Sequence, residues 1–281
     1  MLIADSQVHI WGADTPERPW PKRQGPHRPN PLSADELLTA MNEGGVDRVV
    51  LVPPGWEGER NDLALAAAAA HPDRFAIMGR LDPEKPGAIE ALADWRKQPG
   101  MLGIRLTFHT EWLLPLLTNG KLNRFWPAAE RAGVPVMVLV PHKLLHVLEP
   151  TIARHPGLRF AMDHLSIPTK TRGTEAFAGL DHLLALAKYP NLAVKASAMP
   201  GYSVEAYPYR DLHPHLRRVY DAFGPRRIFW GTDYSRLPCS YRQAITLFTE
   251  ELPWLSSDDK EWIMGRGLCE WLGWPLPAKK H

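Results

Sequence analysis

Cysteine is nearly absent from the 281 residues. Cys239 and Cys269 are too few for a disulfide framework and suit a reducing compartment. An excess of one charge is also missing: 33 Lys and Arg against 31 Asp and Glu leave a net charge of +2. That balance gives no reason to expect nucleic acid or an acidic membrane surface as a partner. No apolar run approaches the roughly 20 residues of a bilayer span, and the Ala-rich stretch from Leu63 to Ala70 is too short. The N-terminus, Met1-Leu2-Ile3-Ala4-Asp5, lacks a basic segment and turns polar too early for a signal peptide. The expectation is a cytoplasmic protein acting on a small molecule, with its oligomeric state left open. Internal repeats and linkers are lacking too. One domain over residues 1–281 is expected, because α/β barrels commonly reach roughly 250 residues as a single unit.

What is present is a regular alternation. A short apolar strand ends at Asp5-Ser6-Gln7-Val8-His9, where Gln7 and His9 are expected on one face. A loop from Trp11 to Leu32 follows, interrupted by six prolines that exclude helix and central strand. Arg18, Lys22, Arg23, His27 and Arg28 make it basic. It reads either as a lid over an anion-accepting site or as a solvated charged loop. Ser33-Ala34-Asp35-Glu36 has capping-box spacing and opens a helix that stops at Gly44-Gly45. Strands are then predicted at Val46–Pro53, Phe75–Leu81, Met101–Phe108, Val134–Val140, Leu158–Leu165, Leu192–Ser197 and Arg227–Tyr234, with helical patterns between them. A further helix, capped at Ser256, runs to about Leu272. Eight strands alternating with helices predict a (β/α)₈ TIM barrel with an extra C-terminal helix; an eight-stranded doubly wound sheet is the alternative.

In such barrels chemistry sits at the C-terminal ends of the strands. Those ends carry Gln7 and His9, Arg80 and Asp82, Arg105 with His109, Asp163 and His164, Lys195 and Ser197, and Asp233. Ionisable groups in apolar strands need partners or a ligand, so this concentration implies one shared polar site. Several have bland readings. Arg105 reads as a structural partner of Asp82 or as a substrate ligand, and Lys195 as a partner of Asp163 or Asp233 or as part of the site. His71 and His155 precede Pro at helix ends and read as surface or capping residues.

Gln7-Val8-His9, Asp163-His164-Leu165 and Trp230-Gly231-Thr232-Asp233 resemble the amidohydrolase superfamily. The nearest branch is the amidohydrolase-2 group, which includes 2-pyrone-4,6-dicarboxylate lactonase, sugar-acid lactonases and metal-dependent aromatic decarboxylases. In metal-dependent members, the resemblance implies His-x-His on the first strand, a fifth-strand His and the eighth-strand Asp around a cation. This chain departs from that pattern: Gln7 stands at the first His position and Val140 at the fifth-strand position. His142 replaces that ligand only if the strand extends past Pro141. That leaves His9 and Asp233, with His164 at most as a third, short of the three strong protein ligands expected plus water, so the resemblance implies a metal-independent hydrolase with no cofactor. The expected activity is lactonase-like hydrolysis of a small anionic cyclic ester. Asp233 is expected as general base, with His164 and His9 beside it. Arg105, Lys195, Gln7, Arg80, Arg236, Tyr234 and Trp11 are expected to contact substrate, with Arg23 and Arg28 as further carboxylate binders. The competing expectations are a hydrolase or nonoxidative decarboxylase using zinc or manganese, and a barrel that binds a small acid without turning it over.

Overall fold

The computed structural model describes residues 1–21, 24–110 and 113–277. Its eight strands are β1 (Ala4–Val8), β2 (Arg48–Leu51), β3 (Phe75–Gly79), β4 (Met101–Thr107), β5 (Val136–Leu139), β6 (Phe160–Met162), β7 (Leu192–Ser197) and β8 (Ile228–Gly231). They pair in parallel in chain order, each with the next. The result is the predicted (β/α)₈ barrel, nearly closed. Every strand residue is buried, which is why these segments read as continuous apolar runs rather than alternating ones.

Two cores hold it. The larger lies between strands and surrounding helices, through residues such as Leu37, Phe125, Leu148, Leu180 and Val219. The smaller joins Ala4, Met78, Met137, Ala193 and Phe229 to Leu268, Cys269, Leu272 and Trp274 of the C-terminal helical segment. Gly265 in that segment lies so close to the Leu2 carbonyl that an added Cβ would stand 2.7 Å from it. The segment therefore covers the N-terminal end of the barrel, and the opposite end remains for chemistry.

The seam between β8 and β1 is made differently from the other seven. The Asp233 N–H donates to the Gln7 carbonyl at 2.9 Å. Beside it the Asp5 carboxylate accepts from the Thr232 N–H at 2.9 Å, the Gln7 N–H at 2.9 Å, the Tyr241 hydroxyl at 2.7 Å and the Thr232 hydroxyl. A buried side chain thus ties the first strand to the last.

The helices begin where capping chemistry predicts. Ser33 accepts from the Glu36 N–H, and the Ser256–Asp259 capping box is complete. A second complete box, Ser240 with Gln243, starts the helix Tyr241–Thr249. Two strand ends depart from expectation. β6 stops at Met162 rather than Leu165, because His164, Leu165 and Ser166 all have positive φ, near 50–57°. β5 stops at Leu139, and the chain turns at His142–Leu144 instead of extending past Pro141. Among the described residues, no helix is long and apolar enough to cross a membrane.

Candidate active site

Asp233 follows directly on β8 in a left-handed conformation, φ 52° and ψ 51°. That conformation costs a non-glycine residue about 1–2 kcal/mol and is fixed here by the Asp5–Thr232 bonds next to it. It turns the carboxylate into a ring of imidazoles. His9 Nε2 stands 3.3 Å from Oδ1, His27 Nδ1 4.0 Å from Oδ1 and His164 Nε2 3.9 Å from Oδ2; Arg236 Nη1 is 3.6 Å from Oδ2. Oδ1 is buried and has no hydrogen-bond donor among the described residues.

His9 and His164 are held from behind, whereas His27 meets Ser235 with the same nitrogen that faces Asp233. His9 Nδ1 donates to the Val52 carbonyl at 2.5 Å, which leaves the lone pair on Nε2. His164 Nδ1 is bonded to Ser197 Oγ and His27 Nδ1 to Ser235 Oγ, both at 2.8 Å. The His27 ring also packs edge-on against Trp56, with centroids 4.7 Å apart. Burial pushes His9 and His164 down to about 4 and His27 to about 3, so all three are neutral at pH 7. Burial raises the Asp233 carboxyl; the net shift is downward because His9, His164 and His27, when protonated, and Arg236 lower it by their charge. With the imidazoles neutral, Arg236 is the standing cation beside an ionised Asp233.

Beneath this ring lies a buried ion cluster. Lys195, with no exposed side-chain surface, bonds Asp163 Oδ1 at 2.8 Å, while Arg105 Nε bonds Asp163 Oδ2 at 3.0 Å. Arg105 is therefore paired with Asp163, not with Asp82, whose carboxylate accepts from the Glu84 N–H. Lys195 also donates to Gln7 Oε1. That bond turns the amide so that Gln7 Nε2 faces His9 Nε2 at 3.3 Å.

Beside the ring, a cavity of about 640 Å³ opens over the ends of β3 and β4. Arg80, Arg105, Thr107 and His109 supply its polar wall, and Leu106, Phe108, Leu113 and Leu116 its apolar one. The Arg80 head group donates one hydrogen bond, from Nη2 to Glu59 at 3.1 Å, and its Nε and Nη1 have no acceptor among the described residues. The acidic side chains of the wall are already engaged: Glu59 with Arg80, Asp82 with its own turn, and Glu84 with Lys121 at 2.7 Å. Spare donors in the wall therefore favour a ligand rich in acceptors. His109, pushed down to about 4 by burial, faces this space uncharged.

The predicted residues fall into three groups. Asp233, His164, His9, Arg236 and Gln7 meet around the carboxylate; Arg105 and Arg80 line the cavity; Lys195 lies below both. Tyr234 stacks on Tyr241 at 4.9 Å, and Trp11 is buried edge-on to Trp56 at 5.3 Å. Arg28 is engaged with Pro31, Glu36 and the Trp11 ring, and Arg18 with Glu57 and Asp62. Lys22 and Arg23 lie outside the described residues. His142 Nε2 bonds the Leu165 carbonyl at 2.8 Å, so it does not replace the missing fifth-strand ligand. Two residues of this site went unassigned in the sequence. His27 was only one of five basic residues in a loop, and Asp5 only part of a polar strand; an aspartate inside an apolar strand is the signal that singles out Asp5.

A model of the family described as Amidohydrolase matches residues 4–266. An L-fucono-1,5-lactonase of Burkholderia ambifaria is 26% identical over 240 residues, covering 82% of this chain and 79% of that protein. Among solved structures, an amidohydrolase from Burkholderia multivorans with bound Zn aligns with a TM-score of 0.81 at 22% identity, covering 98% of this chain and all of that one. A probable 2-pyrone-4,6-dicarboxylic acid hydrolase from Acinetobacter baumannii with citric acid bound aligns at 0.80 and 18% identity, over 98% of this chain and 100% of that one. At these identities the structural likenesses are likenesses of fold.

Proposed function

The chain belongs to the amidohydrolase family, and on that premise we propose that it hydrolyses a small lactone bearing a carboxylate, with Asp233 activating the water. The observation that carries this reading is the pairing of a buried carboxylate, set among three imidazoles and a guanidinium, with a donor-lined cavity next to it. The gap of 3.9 Å between His164 Nε2 and Asp233 Oδ2 is longer than a direct hydrogen bond and suits a bridging water. Asp233 takes a proton from that water as its oxygen attacks the lactone carbonyl. The Arg105 and Arg80 guanidiniums in the adjoining wall face the developing oxyanion and the substrate carboxylate. Collapse breaks the ring C–O bond, and the proton held by Asp233 passes to the leaving alkoxide. Water and lactone thus give one hydroxy acid. Lys195 holds Asp163 and Gln7 in place beneath these groups rather than meeting the substrate.

A neutral sugar-acid lactone is the second reading, favoured by the likeness to the L-fucono-1,5-lactonase. Metal independence was expected because the ligand count fell one short. His27, brought in by the loop, would supply a third ligand beside His9 and Asp233 on giving up its Ser235 contact, and the undonated Asp233 Oδ1 fits such a group. A divalent cation bound there would polarise the carbonyl.

The test is a panel of carboxylated lactones, neutral sugar lactones and aromatic acids, run with wild type and Asp233→Asn. Turnover of lactones, with kcat lowered roughly 10³-fold in the variant and binding retained, is the expected result. Release of CO₂ from an aromatic acid, or full activity of Asp233→Asn, would overturn the assignment.

A further inference from the structure

We infer that the cavity over the ends of β3 and β4 has two halves, and that its apolar half, walled by Leu106, Phe108, Leu113 and Leu116, takes a hydrocarbon arm carried by the substrate. The ligand is then amphipathic: a charged end at Arg80 and Arg105, and an apolar chain of several carbons beyond it. The ring to which the arm is attached comes from the hydrolysis proposed above; the binding of the arm does not depend on that reaction.

Volume is the first reason. A cavity of roughly 150 Å³ takes one benzene ring. The space here is about 640 Å³, so a single carboxylated ring leaves much of it unfilled. What fills the remainder is decided by the side chains around it.

Those side chains are sorted by the pleat of β4. Successive residues of a strand point to opposite faces. Arg105 turns to Asp163 and the barrel interior, and Thr107 shares its face. Leu106 therefore points the other way, and with Phe108 it joins the larger apolar core outside the strands. All four border the same cavity, so that space passes over the strand end from a polar side to an apolar one. The short helix that follows, Leu114–Thr118, continues the apolar side. The Leu116 N–H donates to the Leu113 carbonyl at 3.1 Å, and two residues three apart in a helical turn share one side. Leu113 and Leu116 both border the cavity, yet neither they nor any residue of that helix is fully buried. Half-covered leucines beside open space gain by closing on hydrocarbon, because that removes further apolar surface from water. A polyhydroxylated arm would lose its water there without finding hydrogen-bond partners on these four side chains.

The experiment measures binding by calorimetry with 2-alkylsuccinates from methyl to hexyl, whose two carboxylates suit the guanidiniums and which cannot close to a lactone. In wild type each added methylene should tighten binding about fourfold, reaching roughly 10²–10³-fold from methyl to hexyl. The double variant Leu113→Gln, Leu116→Gln should weaken the hexyl compound at least ~10-fold and leave the methyl compound unchanged, which also reports that the variant is folded. Leu116→Trp, which fills the apolar half instead of making it polar, should likewise penalise only the long arms, and it serves if the double variant misfolds. Affinity independent of chain length in wild type, or a chain-length gradient that survives in full in these variants, overturns the inference. The readout needs no turnover: an intact gradient with no lactone hydrolysed would sink the proposed reaction alone, and hydrolysis with a flat gradient would sink the apolar half alone.

Discussion

On the β8–β1 side of the barrel mouth, four ionisable groups face Asp233 across 3.3–4.0 Å. On the β3–β4 side, two guanidiniums border open space of about 640 Å³. The first side is crowded, and its imidazoles are neutral. The second has spare donors and room. The difference separates two jobs that one cleft must do: making a nucleophile requires atoms preset within hydrogen-bond reach, whereas admitting a substrate requires unmet hydrogen-bonding capacity and volume. Asp163 joins the two, because Arg105 of the cavity and Lys195 beneath Gln7 and His9 share its carboxylate.

The strongest way to break the division is to remove that link. Asp163→Asn leaves two buried cations without their anion, and breaking a buried ion pair from one side costs about 3–5 kcal/mol. Urea denaturation at pH 7 should show a loss of that size; a variant as stable as wild type would mean that the two sides are not coupled through Asp163. Arg80→Met acts on one side only. It should raise KM for a carboxylated lactone about 10–100-fold, the worth of a charged hydrogen bond, with kcat changed much less. An equal fall in kcat would place Arg80 with the chemistry instead.

The smallest effect sharpens the contrast through pH. The imidazoles of His9, His164 and His109 are held near 4 and that of His27 near 3, against 6.5 when unfolded. The unfolded chain therefore binds more protons as pH falls, and the stability these groups give is complete above 6.5 and lost progressively from there towards 4. Asp5, pushed up to about 6 by burial, works in the opposite sense between about 4 and 6. Four imidazoles outweigh one carboxyl, so stability should fall from pH 7.5 to pH 5, and His109→Asn should flatten the slope by up to about one proton. A wild-type protein equally stable at both pH values would contradict these assignments.

Much of this was legible in the sequence because strands expose their ends in order. Apolar runs bounded by turn residues placed all eight strands, and the polar residues finishing them named Gln7, His9, Arg80, Arg105, His164, Lys195 and Asp233. His27 was not legible as part of the site, since a loop has no periodicity to say which of its side chains returns to the barrel. The end of β6 was misplaced for a different reason. Three successive left-handed residues, His164, Leu165 and Ser166, contain no glycine to announce them, and only the surrounding packing imposes that backbone. For Arg105 the sequence offered Asp82 as a partner beside a substrate role, and the true partner, Asp163, was not legible because sequence shows order, not which carboxylate lies at the same depth.

The bond from Lys195 to Gln7 also constrains where this protein can go by mutation. An imidazole at position 7 would stand where the Gln7 amide oxygen now accepts from the fully buried Lys195 ammonium, which would keep its bond to Asp163. Accepting with one ring nitrogen puts the ring's own proton on the other, which leaves no lone pair for a metal. A His-x-His pair on this strand would therefore be free to bind a metal only if the imidazole at position 7 were released from the Lys195 contact that the amide now makes.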